Sequence, residues 1–245
     1  MAALEVGGGH AHCATCPLGA ASLCSAIAPQ ASEASLKALP RAQQGARARE
    51  VFYARGKASD EVMVLCYGIA FRFNRLTDGR RKIHGFLMSG DPISVASFFE
   101  PSLPFSVEAL TDVQFSLFKR SSLQAKWCAA VEQGRPALVE ALGKVCCAAE
   151  ADLLEQSIDL ALRNAQERVA SLLLHLTWRM GERQVIKANR YPFPLRQQDI
   201  AEFTGLSLAH VNRVIVEFRK SGLIELAAGV LTVRDAEGLR RIGGL

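Results

Sequence analysis

Near the start of the chain, HCATCPLGAASLC sets three cysteines in the spacing C-x2-C-x7-C, at Cys13, Cys16 and Cys24. Thiolate sulfur is a soft ligand that suits iron–sulfur clusters, zinc and copper(I). The two-residue spacing puts Cys13 and Cys16 on one side of a metal, and Cys24 can fold back across the PLGAAS loop. Such a centre generally takes four ligands. Candidates for the fourth are Cys66, His10 or His12, Cys128, and a water or partner-supplied group. Cys66 leads, because it ends a strand-like run in the part of the chain that the N-terminal loop must cover. Cys128, Cys146 and Cys147 read as small apolar filler. For the trio itself three readings stay open: a redox-labile cluster, zinc or thiol chemistry, and unliganded residues.

A second chemistry is written at the other end, in QQDIAEFTGLSLAHVNRVIVEFRKS from Gln197 to Ser221. Gln197 to about Thr204 is a short amphipathic helix with Ile200, Ala201 and Phe203 turned inward. Gly205 gives the backbone freedom for a tight turn, and Ser207 is a good N-cap for a second helix, Leu208 to Lys220. Ala201 is small where the helices cross, and Val211 and Val214 fill buried positions. This is helix-turn-helix grammar. After Gly222, LIEL and GVLTVRD flank AAG as a β-hairpin, which makes the unit a winged helix. The second helix of such a unit enters the major groove and its exposed N-terminal residues touch base edges. Here those are Ser207, Ala209, His210, Asn212 and Arg213. Arg213 can donate a bidentate pair to guanine, and Asn212 can do the same at adenine or hold a phosphate. His210 can bond a base edge, a phosphate or water. Arg196, Arg219 and Lys220 suit phosphates, which position a protein without reading sequence.

The elements that carry these residues follow from the texture between them. A chain of 245 residues has room for two domains, and 49% apolar with 22% charged residues is a globular composition. No stretch approaches a membrane span, and no basic segment leads into an apolar run, so a cytoplasmic setting is expected, with thiols reduced. Seven cysteines, unevenly placed, do not suit a disulfide framework. The net charge of +5 is compatible with nucleic acid but decides nothing alone. From Glu50 to Phe118, short β-branched and aromatic runs alternate with TDGR, SGDP and EPSLP, the pattern of an antiparallel barrel or roll. A short helix is expected in SEASLKALPRAQQ, ending near Pro40. After Pro136 the period becomes helical: Leu138, Leu142, Val145 and Ala149, then Leu154, Ile158, Leu162, Ala165, Val169, Leu172 and Leu176. Asn164 with Glu167 forms a capping arrangement, so one helix runs from about Arg135 to Arg163 and another from about Ala165 to Gly181. The stripe reads as a dimer seam or as ordinary core; the seam is preferred because the roll before it is already complete. The expected domains are 1–48 (cysteine-bearing segment), 49–134 (roll), 135–163 (dimerisation helix) and 164–245 (winged helix-turn-helix).

A roll, a long helix and a winged helix, in that order, resemble the Crp–Fnr family of bacterial transcription regulators. The resemblance runs from about Val51 to the C-terminus and is most specific at DIAEFTGLSLAHVNRVIVEFRKSGLI and at RNAQERVASLL. It implies an α+β chain with a cyclic-nucleotide-binding-like β-roll, acting as a homodimer on a two-fold operator in double-stranded DNA, with RNA polymerase as partner. The N-terminal cysteines resemble the oxygen-sensing Fnr-like branch, where such cysteines hold a [4Fe–4S] cluster; that branch governs genes of anaerobic or microaerobic metabolism. Three departures matter. Ser116 stands where Fnr-like sensors carry their fourth cysteine, late in the roll. Ser94–Val95 and Phe105–Ser106 replace the Gly-Glu and Arg-Ser that hold cyclic AMP, so no cyclic nucleotide is expected. Ala209 replaces the Glu with which Fnr reads its operator, so a different operator is expected.

Other classes fit less well. A thiol oxidoreductase would place C-x-x-C between a strand and a helix of a βαβ unit, and no such alternation follows Cys16. There is no phosphate-binding glycine loop, no G-x-S-x-G and no H-E-x-x-H, and the five histidines are scattered. An enzyme is therefore not expected. An architectural DNA-binding protein would have no use for the roll.

Overall fold

The computed structural model describes residues 41–132, 134, 137–182 and 189–244. Cys13, Cys16, Cys24, His10, His12 and the short helix expected near Pro40 lie outside the described residues. The chain divides into two units, Met1–Ala70 with Leu87–Cys147, and Phe71–Phe86 with Ala148–Leu245.

The strands of the roll are β1 (Arg41–Ala46), β2 (Val51–Tyr53), β3 (Glu61–Tyr67), β4 (Ile69–Arg75), β5 (Arg81–Met88), β6 (Ser106–Ala109) and β7 (Val113–Lys119). They form two sheets, ordered β1-β7-β3 and β2-β6-β4-β5. β7 is central in its sheet, antiparallel to both neighbours. Its VQFSLFK carries apolar residues on both faces because both faces are covered. Phe115 and Leu117 join Leu65, Ile93 and Val107 between the sheets. Phe118 joins Val62, Val64, Phe98, Leu123 and Leu142 on the other side. Leu123 belongs to α1 (Arg120–Glu132), which the sequence reading did not anticipate, as it did not anticipate β1.

Two long helices follow, α2 (Ala137–Leu162) and α3 (Ala165–Glu182), broken where expected. Asn164 Oδ1 accepts from the N–H groups of Gln166 and Glu167, and Glu167 Oε2 accepts from the Asn164 N–H, a closed capping box. The expected seam is not one face. Leu142 is buried and Val145 and Ala149 are half-buried, whereas Leu154, Ile158 and Leu162 are 61%, 42% and 80% exposed. The reason is spacing: the five-residue step from Ala149 to Leu154 turns the helix by about 140° beyond a full turn. Val169, Leu172 and Leu176, on α3, are core. Cys128, Cys146 and Cys147 are exposed on their helices, which corrects the reading of them as buried filler.

The C-terminal part holds β8 (Arg190–Pro192), α4 (Gln197–Thr204), α5 (Leu208–Lys220), β9 (Ile224–Ala227), β10 (Val230–Val233) and α6 (Ala236–Gly243). The wing is a three-stranded sheet, β8-β10-β9, rather than the expected two-stranded hairpin. Its turn has positive φ at Ala228 and Gly229, the backbone of a tight hairpin.

Candidate nucleic-acid interface

The two helices of the motif are built by local rules. α4 buries Ile200, Ala201 and Phe203 and ends at Gly205, whose φ of 71° closes the helix in the left-handed region. A side chain there would be strained and would also meet Leu160 Cδ2 at 3.0 Å. Ser207 Oγ accepts from the His210 N–H and starts α5. The inward stripe of α5 is Val211, Val214, Ile215 and Phe218. That burial fixes which side chains face outward, and the outward face carries the chemistry.

Arg196, Ser207, Ala209, His210, Asn212, Arg213, Arg219 and Lys220 are all exposed. The imidazole of His210 turns back to the cap, with Nδ1 2.9 Å from Ser207 Oγ. Asn212 Nδ2 donates to Gln197 Oε1 across the turn at 3.1 Å, which joins the two helices at their exposed ends. Arg219 and Lys220 occupy the last turn of α5, where cations also favour the helix dipole. The sequence reading passed over Val216, 38% exposed on the same outward face.

It also missed what holds α4 in place. Strand β5 contributes Arg81, whose Nε donates to Glu202 Oε2 at 2.5 Å and whose Nη2 lies 3.5 Å from Asp199 Oδ1. The Arg81 guanidinium lies over the rings of Phe71 and Phe73, at 5.0 and 5.2 Å. Asp199 does double duty, because its other oxygen accepts from the Arg196 N–H and caps α4. Lys82 Nζ donates to the Phe203 carbonyl and sits over the Phe203 ring. Burial pushes the Lys82 pKa down to about 8; Asp159 partly opposes this and Arg168 adds to it. No local pattern could have announced pairs separated by more than a hundred residues.

In the roll, Cys66 falls where the β3–β7 register shifts between Leu65 and Tyr67. Its Sγ is 3.1 Å from Ser116 Oγ on β7. The described residues contain no group of three or more His, Cys, Asp and Glu side chains able to hold a metal. Of the serines at the positions compared with a cyclic-AMP pocket, Ser94 Oγ accepts from the Ala96 N–H and Ser106 Oγ accepts from the Arg55 N–H. No helix among the described residues is long and apolar enough to cross a membrane.

A winged helix-turn-helix with an outward face of hydrogen-bonding and basic side chains, preceded by a double-sheeted roll, defines a DNA-binding transcription regulator. Comparison with known proteins agrees on both parts. Residues 167–242 match the Crp-like helix-turn-helix domain and residues 44–128 match the cyclic nucleotide-binding domain. The nitrogen fixation regulation protein FixK of Azorhizobium caulinodans is 30% identical over 198 residues, covering 80% of this chain and 77% of that protein. The transcriptional activator protein FnrA of Stutzerimonas stutzeri is 22% identical over 239 residues, covering 96% and 93%. The structure of FixK2 from Bradyrhizobium japonicum superposes with a TM-score of 0.72 at 24% identity, covering 83% and 98%. This chain belongs to the Crp/Fnr family.

Proposed function

We propose that this regulator binds a two-fold operator as a homodimer, acts there on RNA polymerase, and responds to oxygen or redox state through its N-terminal cysteines. The observation that carries the reading is the exposed apolar face of α2. Cys147, Leu154, Ile158 and Ala161 recur at seven, four and three residues, all outward, opposite the face that buries Leu142 and Asp159. A helix stripe of this kind is a seam for a second copy. Two copies related by a two-fold axis present two recognition helices to two half-sites.

The sensing part is supported by sulfur position. In the resemblance to Fnr-like sensors, Ser116 stands at the fourth cysteine, and the neighbouring strand sets the Cys66 thiol 3.1 Å from that Ser116 hydroxyl. Cys13, Cys16, Cys24 and Cys66 would then form the ligand set. Bound at those thiolates, a [4Fe–4S] cluster supplies an oxygen-labile tie between the N-terminal segment and the roll. Cyclic nucleotide is not part of this mechanism, since Val95 and Phe105 stand where the Glu and Arg that would anchor it are expected.

The test is protein prepared without air, assayed for iron and sulfide, examined by visible spectroscopy, and sedimented before and after exposure to air. The expected result is a brown dimer that loses its colour and shifts toward monomer in air. Leu154→Asp removes about 1.5 to 3 kcal/mol of apolar burial from each copy, so dimer affinity should fall more than a hundredfold. Stoichiometric zinc without visible absorption refutes the cluster and leaves the dimer. A monomer under both conditions refutes the dimer.

A further inference from the structure

Resting on the reading of α5 as the recognition helix, we propose that it identifies thymine by the 5-methyl group, with Val216 and Ala209 as the apolar contacts. The outward face of α5 is not uniformly polar. At 100° per residue, Ala209 and Val216 fall within about 20° of one another along the helix. Asn212 lies to one side of that line and Arg213 to the other. Both Ala209 and Val216 are exposed, Val216 at 38%. Scattered apolar residues are ordinary on a protein surface. Ala209 and Val216 are not scattered: they share the face that carries Asn212 and Arg213.

The chemistry of that strip is specific. Neither Ala209 nor Val216 can donate or accept a hydrogen bond, so neither can read a purine edge or a cytosine amine. The only apolar group exposed in the major groove is the thymine 5-methyl, and small aliphatic side chains are its partners. Seven residues of helix span about 10 Å, which is about three base-pair steps at 3.4 Å each. The strip therefore addresses two separated positions, with Asn212 and Arg213 reading the pairs between them. Valine is also a poor choice for an exposed helix position on propensity alone. Val216 opens onto a groove whose walls include Arg219 and Lys220, cationic side chains suited to a DNA strand running alongside, and the Arg234–Glu225 ion pair.

The test begins with selection of preferred duplexes from a randomised pool by the full-length protein. Each thymine of the selected half-site is then replaced by deoxyuridine, which removes the methyl and leaves every hydrogen-bonding group. Burial of one methyl is worth about fourfold in affinity, so deoxyuridine at two positions should each weaken binding by about that factor. In Val216→Ala the deoxyuridine effect at one of them should disappear, while discrimination at the remaining base pairs is retained. Alanine is the stronger helix former, so this variant folds. Affinity indifferent to deoxyuridine at every thymine overturns the proposal and leaves sequence-specific binding intact. An unchanged deoxyuridine pattern in Val216→Ala removes Val216 from it. A pool that yields no enriched sequence overturns the reading of α5 itself.

Discussion

Raising the pH from about 7 to about 10 should stabilise this protein, and Lys82 should be the reason. Its ammonium is half-buried between β5 and α4, donating to the Phe203 carbonyl, and this burial lowers its pKa from 10.5 to about 8. The folded-state value is thus below the unfolded one. Below about pH 8 the group is charged in both states, and folding bears the full desolvation cost. Between about 8 and 10.5 the folded chain has lost the proton while the unfolded chain keeps it. The unfolded state then binds more protons, and stability rises with pH. At 1.36 kcal/mol per pKa unit the span is worth about 3 kcal/mol. The side chain keeps partial access to water, which screens it, so about 1 to 2 kcal/mol is expected. Other groups titrate in the same window, and the comparison must cancel them. Urea denaturation of the parent and Lys82→Met, at matched protein concentration across the pH series, isolates the increment as the difference between the two curves. Methionine keeps the length and apolar stem without the charge. The parent should gain about 1 to 2 kcal/mol on the variant between about pH 7 and pH 10. A difference that is flat within about 0.3 kcal/mol, or that falls with pH, would refute the claim that a charged Lys82 is held out of water.

Two further outcomes are expected. Arg213→Ala should lose about 1 to 3 kcal/mol of discrimination at one base pair, measured by competition among operators substituted one pair at a time; equal weakening of all sequences would make Arg213 a backbone contact. Arg81→Ala leaves Asp199, whose side chain is 2% exposed, and Glu202 without their cation. It should cost about 2 to 4 kcal/mol, and a double-mutant cycle with Glu202→Gln should return a coupling above about 1 kcal/mol. Additive losses would mean that the pair contributes nothing beyond its two members.

The winged helix was legible because each of its decisions is local. A glycine at a left-handed turn, a serine whose hydroxyl caps the next helix and apolar residues at three- and four-residue steps are all visible within 25 residues. The α2–α3 break was legible for the same reason, since Asn164 and Glu167 satisfy each other's backbone. α6, which the sequence reading did not anticipate, carried a signal all the same, with Asp235 capping through the Gly238 N–H and Gly244 closing in the left-handed region. α1 did not, because RSSLQAKWCAAVE spaces its few inward residues (Arg120, Leu123 and the half-buried Trp127) without a clear apolar stripe. β1 is RAQQGA, without a large apolar residue; beyond the buried Ala46 it exists by backbone pairing with β7.

What local pattern cannot supply is pairing across the chain, and the fourth-ligand question shows the consequence. Compared position by position, Ser116 marks a missing cysteine. Compared in space, the register Val64 with Ser116, and the shift that follows it, bring Cys66 on the adjacent strand to the same place. Position 116 on β7 and the Cys66 thiol on β3, which reaches over from the bulge two residues past the facing Val64, thus share one place. A linear comparison treats the two arrangements as loss and gain of unrelated residues. In the sheet the two positions meet at one place, and only strand register shows it.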